Sequence, residues 1–246
     1  MVEVDPTKTL GIIANPLSSR DVRRVVSSAT TITAVERANI LERILLVLGG
    51  LGLKRVMMMP DRSGLCAQLL RNLRSRARVS GSPLPGVEFV DMDVSSSSQD
   101  SRHAARRMRE AGVNALVVLG GDGTHRDVAS ASGNIPLACI STGTNNAFPA
   151  FHEATTVGMA LGVALSRNQS EVAVIEPNKR IVVRRGEEML DRALVDVAVV
   201  REQWIGSRAV WDPASLAQVY LTFCEPSALG MSSIGSACDL VARQDP

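Results

Sequence analysis

Aromatic residues are scarce in this chain, and their scarcity limits the functions that the sequence supports. The 246 residues include two tryptophans, one tyrosine and four phenylalanines. Proteins that bind single-stranded nucleic acid stack the bases on aromatic rings. The net charge of +2 offers no strong attraction to polyanions. The arginines of "LLRNLRSRARVSG" follow an amphipathic pattern that favours a solvated helix face. We therefore expect no nucleic-acid partner.

Histidine and cysteine are also few, and long apolar runs are missing. Three scattered histidines and four cysteines without a closely spaced pair make a zinc site unexpected. Unpaired cysteines of this kind are typical of reduced thiols in a cytosolic protein. No apolar run reaches membrane-spanning length, and the N-terminus "MVEVDPTKTLGIIANP" lacks the layout of a signal peptide. We expect a cytoplasmic protein without a membrane partner.

Short apolar runs alternate with helical patterns over the first two-thirds of the chain. The predicted strands are 9–14, 55–59, 87–92, 115–119 and 136–140. The predicted helices are 34–51, 64–76, 99–110 and 154–166. This alternation predicts a parallel sheet flanked by helices. The fold class is therefore α/β, with a Rossmann-like N-terminal domain over residues 1–168.

The pattern changes from about Glu171 onwards. The segment "EVAVIEPNKRIVVRRGEEMLDRALVDVAVV" contains strand-like runs separated by turn residues, which predicts antiparallel pairing. We expect "DPASLAQVYLTFC" to be helical. Residues 169–246 thus form a smaller, β-rich C-terminal part. A segment this short is thin for an independent β domain, so either it is incomplete or it relies on a partner chain.

Three polar loops follow predicted strands: "ANPLSSRDVRR", "GGDGTHRD" and "STGTNNAFP". Ligands of open parallel sheets collect at the carboxyl ends of the strands. Gly120, Gly121 and Gly123 let the backbone turn tightly and approach a ligand. A helix after Thr124 would present its free N–H groups to an anion. The sequence therefore predicts a phosphate cradle that contains one carboxylate, that of Asp122. Neither common nucleotide-binding glycine pattern follows the first strand.

The three loops together resemble those of the NAD kinase and diacylglycerol kinase superfamily. Within it, "GIIANPLSSRDVRR", "GGDGTHRDV", "STGTNNAFP" and "DPASL" are similar to the ATP-NAD kinase-like group that includes the acetoin catabolism protein X. The resemblance covers most of residues 9–200. It implies an α/β domain, a β-rich C-terminal domain, and phosphoryl transfer from ATP with Mg²⁺ to NAD. It also implies a homo-oligomer.

The resemblance also implies roles for individual residues. Asp122 would meet the acceptor hydroxyl as base or orienter, and it is the catalytic candidate. The implied nucleotide- or acceptor-binding residues are Asn15, Arg20, Gly120, Gly121, Gly123, Thr124, Thr144, Asn145 and Asn146. The alternative for Asp122 is an Asp-Gly turn whose carboxylate caps the following helix. We expect the neighbouring His125 to lie on a helix face rather than to act in catalysis.

Two departures from the superfamily patterns affect the substrate. NAD kinases have an Asn-Glu pair where "RALVDVAVV" places Val195 and Asp196. Asp196 is a further candidate binding residue, and it either faces the site or lies on the solvent side of a strand. Ala147 stands where the lipid-kinase pattern has an acid. "PSALGMSSIGSA" either resembles a dinucleotide-binding loop or is a flexible linker.

Three functions remain open from the sequence. The first is an ATP- and Mg²⁺-dependent kinase that phosphorylates a hydroxyl of NAD or a related acceptor. The second is a non-catalytic NAD- or nucleotide-binding accessory protein of acetoin catabolism. A lipid kinase ranks last, because the sequence contains no evident amphipathic membrane segment. The acceptor, and the choice between ATP and polyphosphate as donor, stay open.

Overall fold

A computed structural model describes residues 2–15, 32–143, 146–166, 175–202, 210, 212–238 and 241–243. These residues divide into two compact units. The first contains a parallel sheet with its helices, and the second contains antiparallel strand pairs. No helix among the described residues is both long and apolar enough to cross a bilayer.

The N-terminal unit is built on a five-stranded parallel sheet. Its strands are β1 (Thr9–Ala14), β2 (Arg55–Met58), β3 (Gly86–Phe89), β4 (Ala115–Gly120) and β5 (Leu137–Ser141), in the order β3-β2-β1-β4-β5. All residues of β4 are buried, as expected for a central strand with helices on both faces. The predicted Rossmann-like α/β fold is therefore confirmed.

Five helices cover the two faces of this sheet. They are α1 (Ala34–Gly50), α2 (Leu65–Ser80), α3 (Ser98–Glu110), α4 (Asp122–Ala129) and α5 (Ala154–Ala164). One apolar cluster joins α1, α2 and α5 to one face, and a second joins α3 and α4 to the other. Strands β1 to β5 and helices α1, α2, α3 and α5 begin and end within a few residues of the predicted positions. This is the usual uncertainty of helix and strand ends.

Helix α4 is the exception, because it begins earlier than the sequence predicts. The expectation was a helix after Thr124, but its first residue is Asp122. Gly121 is extended, with φ −97° and ψ −175°, and it is the N-cap. The N–H of His125 donates to the Gly121 carbonyl at 3.1 Å, so a helical hydrogen bond already spans the motif.

The described part of the C-terminal unit contains two antiparallel strand pairs and a short helix. Strands β6 (Ile181–Arg185) and β7 (Glu188–Ala193) form one pair, and β8 (Asp196–Val200) and β9 (Leu216–Leu221) form the other. The turn between β6 and β7 contains Gly186 at φ 60°, as turn residues predict. The antiparallel pairing expected in this region is thus present.

Two expectations for this unit are wrong. "DPASLAQVYLTFC" was expected to be helical, but only Pro213–Ser215 form a short 3₁₀ turn, and β9 follows. Val219 and Tyr220 favour strands, and pairing with β8 decides the conformation. The linker interpretation of "PSALGMSSIGSA" fails as well, because it contains α6 (Met231–Ser236), in which Ser232 is fully buried.

Candidate functional site

The three polar loops begin at the carboxyl edge of the parallel sheet. The strand order reverses between β1 and β4, and ligands of such sheets bind at this switch point. Asn15 follows β1, and Gly121 and Asp122 follow β4. The N–H of Thr142, just after β5, donates to the Gly120 carbonyl at 3.3 Å. The start of the third loop therefore lies beside the end of β4.

The second half of "GGDGT" forms the first turn of α4. Asp122 is half-buried and is the first helical residue, and the N-cap Gly121 has no side chain to offer. Asp122 is therefore a residue of the helix itself, and the N-cap position belongs to Gly121. The first turn of a helix has free N–H groups and the positive end of the helix dipole. This end of α4 thus offers the chemistry that binds phosphate groups.

Gly120 is required by the packing of Thr124. A Cβ atom at Gly120 would lie 2.5 Å from the Thr124 Cβ, a distance that real structures do not tolerate. The Thr124 side chain is buried, and its hydroxyl oxygen accepts a hydrogen bond of 3.2 Å from the Asn15 amide. Three of the predicted site residues therefore contact one another, and they join the ends of β1 and β4 to the first turn of α4.

Gly123 differs from Gly120, because nothing in the described chain requires a glycine there. It is exposed, its φ is not in the left-handed region, and a Cβ added to it would meet no atom within 4 Å. Glycine also destabilises helices. The space beside the backbone of the first turn of α4 is therefore open, and a ligand can occupy it.

Arg37 is a site residue that the sequence analysis missed. It lies in the first turn of α1, whose start is fixed by a capping box between Thr33 and Glu36. Its side chain is buried, and its Nη1 donates to the Asn15 carbonyl at 2.9 Å. The sequence spacing could have indicated its burial, because Arg37 lies on the same face of the helix as the buried Leu41.

His125 lies on the buried face of α4, as a helix-face residue. Its Nδ1 lies 2.9 Å from the carbonyl oxygen of Gly121, to which it donates. Burial lowers the pKa of the imidazole, and the Gly121 carbonyl and the charge of Asp122 oppose this in part. His125 is therefore a neutral donor that holds the N-cap of α4.

Two of the remaining predicted residues belong to the second compact unit. Asn146 belongs to the C-terminal unit, and so does Asp196, which is half-buried and pairs with Leu221 at the start of β8. The positions of Arg20, Thr144 and Asn145 are outside the described residues.

The described residues contain no group of three or more His, Cys, Asp and Glu side chains suited to hold a metal ion. Mg²⁺ that arrives with a nucleotide needs only one or two protein carboxylates, because phosphate oxygens and water complete its shell. The half-buried Asp122 beside the first turn of α4 fits that modest requirement.

A parallel sheet with a glycine-rich turn into a helix at its switch point defines a Rossmann-like α/β protein. Residues 10–165 match the model of the ATP-NAD kinase N-terminal domain, and residues 179–246 match that of the acetoin catabolism protein X C-terminal domain. The chain therefore belongs to the ATP-NAD kinase-like family.

A curated relative agrees with these two domain matches. The chain is 44% identical over 240 residues to the Acetoin catabolism protein X of Cupriavidus necator. The aligned region spans 96% of this chain and 67% of that protein. No solved structure matches the chain.

Proposed function

We propose that this protein is an ATP- and Mg²⁺-dependent kinase that phosphorylates a hydroxyl of NAD or of a related acceptor. The family match to the ATP-NAD kinase N-terminal domain supports a nucleotide-handling role. The observation that carries the proposal is the first turn of α4, in which Asp122 directly precedes Gly123 and the space beside Gly123 is open. A cytoplasmic location is part of the proposal.

The roles of the residues follow from the needs of phosphoryl transfer. Positioning and charge neutralisation dominate this reaction, because its transition state is loose. The N–H groups at the start of α4 bind phosphate oxygens of the nucleotide, and Mg²⁺ arrives with ATP as part of the substrate. The acceptor oxygen bonds to the γ-phosphorus while the bond to ADP breaks. Asp122 orients the acceptor hydroxyl and takes its proton late in the step.

The neighbouring side chains hold this turn in place. Asn15 and Thr124 fix it to β1, and His125 fixes the Gly121 carbonyl. Such preorganisation favours catalysis, since the donors need not reorganise during the reaction. We propose further that Arg20, Thr144, Asn145, Asn146 and Asp196 contribute to binding of the nucleotide or the acceptor.

The experiment that tests the proposal measures NADP formation from ATP, Mg²⁺ and NAD. We expect Asp122→Asn to lower kcat by about 10²–10⁴, because it removes the proton acceptor. Glu110→Gln is the matched control, because Glu110 is also a carboxylate but is exposed and lies at the end of α3. The chain enters β4 soon after it, at the edge of the sheet opposite to Asp122. Unchanged NADP formation by Asp122→Asn would contradict the proposed mechanism.

A second candidate is a non-catalytic NAD- or nucleotide-binding accessory protein of acetoin catabolism. Two observations favour it: the C-terminal match is to the acetoin catabolism protein X domain, and Val195 stands in place of the Asn of the NAD kinase pair. Nucleotide binding in calorimetry without turnover, across a panel of hydroxyl acceptors, would support this candidate. Robust turnover with any acceptor would exclude it.

A further inference from the structure

Arg243, in the C-terminal unit, makes several contacts of different kinds at once. Its guanidinium lies 3.7 Å from the centroid of the Phe223 ring and 5.6 Å from that of the Phe148 ring. Its Nε donates to Glu225 Oε1 at 2.6 Å, and its Nη2 lies 3.3 Å from Glu225 Oε2. The same Nη2 donates to the Ala147 carbonyl at 3.3 Å.

The ring that holds Arg243 is itself fixed. Phe223 is buried, and its carbonyl accepts a 2.7 Å hydrogen bond from the hydroxyl of Ser232 on α6. The N–H of Cys224 donates to the Val241 carbonyl at 2.6 Å. This hydrogen bond holds the segment that contains Arg243 next to the segment that contains Phe223. A planar guanidinium can stack on a ring and bind a carboxylate in the same pose, whereas a lysine ammonium cannot.

These contacts extend to the third polar loop. Ala147 and Phe148 directly follow Asn146, and residues 146–148 belong to the same compact unit as Arg243. We infer that Arg243 is a positioning residue that fixes residues 146–148 of the third loop and thereby supports the binding of the acceptor by Asn146. The effect on binding rests on the proposed function, while the effect on the loop stands on the contacts alone.

The first arm of the test measures the loop itself in the full chain. Arg243→Met keeps the aliphatic length and removes the charge and the donors, whereas Arg243→Lys keeps a charge and donors but loses the planar guanidinium. We expect hydrogen exchange in a peptide over residues 142–151 to accelerate by about tenfold in Arg243→Met and by less in Arg243→Lys. Hydrogen exchange in β8 should stay unchanged, because Arg243 takes no part in the backbone pairing of β8 with β9.

Arg201→Met is the matched control for this arm. Arg201 also donates to a backbone carbonyl of the same unit, that of Ala214, at 3.0 Å. If it accelerates exchange over residues 142–151 as much as Arg243→Met does, the effect is a general loosening of the unit and the inference is wrong. Unchanged exchange in Arg243→Met also overturns it.

The second arm measures NAD binding by calorimetry and the steady-state rates with ATP. We expect Arg243→Met to raise the Kd and KM for NAD about tenfold, with kcat within twofold of the parent, because the loop binds rather than reacts. Arg243→Lys should recover part of the affinity. Equal NAD affinity in all variants, despite a loosened loop, would overturn the link to the acceptor.

The two arms separate this inference from the proposed function. If the parent protein binds neither ATP nor NAD, the proposed function fails and the role of Arg243 in acceptor binding fails with it. The exchange measurement still decides whether Arg243 fixes the loop, since it needs no ligand.

Discussion

At the scale of single residues, three of the predicted site residues at the sheet edge, Asn15, Gly120 and Thr124, support one another. The Asn15 amide holds Thr124, Thr124 packs against Gly120, and Arg37 holds the Asn15 carbonyl. The sequence predicted that Asn15, Gly120 and Thr124 lie at the ends of buried strands, and the structure brings these three residues together. The sequence could not identify Arg37, because the importance of that side chain comes from a neighbour 22 residues away in the chain.

His125 makes the unfolding free energy depend on pH. The folded protein holds its pKa below the ordinary value of about 6.5, so the unfolded chain takes up the proton more readily below that pH. The neutral imidazole therefore makes its full contribution to the unfolding free energy above about pH 6.5. This contribution is lost as the pH falls toward the pKa of His125 in the folded protein. We expect denaturant titrations between pH 7 and 5 to show this loss.

His125→Asn provides the comparison for that titration, because its amide can donate to the Gly121 carbonyl and does not titrate. The variant should lose less stability than the parent between pH 7 and 5. Parallel curves for the two proteins would contradict the assignment of this pH dependence to His125.

At the scale of elements, prediction succeeded where burial alone decides the structure. Strand β1 was predicted with its observed ends, because its apolar run is buried almost throughout. The start of α4 was missed, because glycines favour loops in isolation and an extended Gly121 is needed to start the helix. Strand β9 was missed, since its conformation depends on pairing with β8, which is distant in sequence.

The two glycines around Asp122 should respond differently to the same substitution. Gly120→Ala places a Cβ 2.5 Å from the Thr124 Cβ at the junction of β4 and α4, and we expect it to destabilise the protein by about 1–3 kcal/mol. Gly123→Ala meets no atom and removes a poor helix former, so stability should rise by up to about 1 kcal/mol. Denaturant unfolding of both variants measures the difference, and equal effects would contradict the described packing.

At the scale of the whole molecule, the C-terminal unit has features that favour association. In the described part of this unit, the two sheets have two strands each, which is marginal for independent stability. They expose apolar side chains, namely Met189, Leu190, Val199 and Tyr220. We expect light scattering at micromolar concentration to give the mass of a homo-oligomer, because association would cover these residues. A monomer mass would contradict this expectation.

The central claim is that the first turn of α4 is a phosphate cradle, and Gly123→Ala tests it most directly. The measurement is the affinity for ATP with Mg²⁺, by calorimetry, in the parent and in this variant. The account predicts that the variant is at least as stable as the parent but binds ATP about tenfold more weakly or worse, because the methyl group occupies the space left for phosphate. Unchanged ATP affinity in a folded Gly123→Ala protein would contradict the claim.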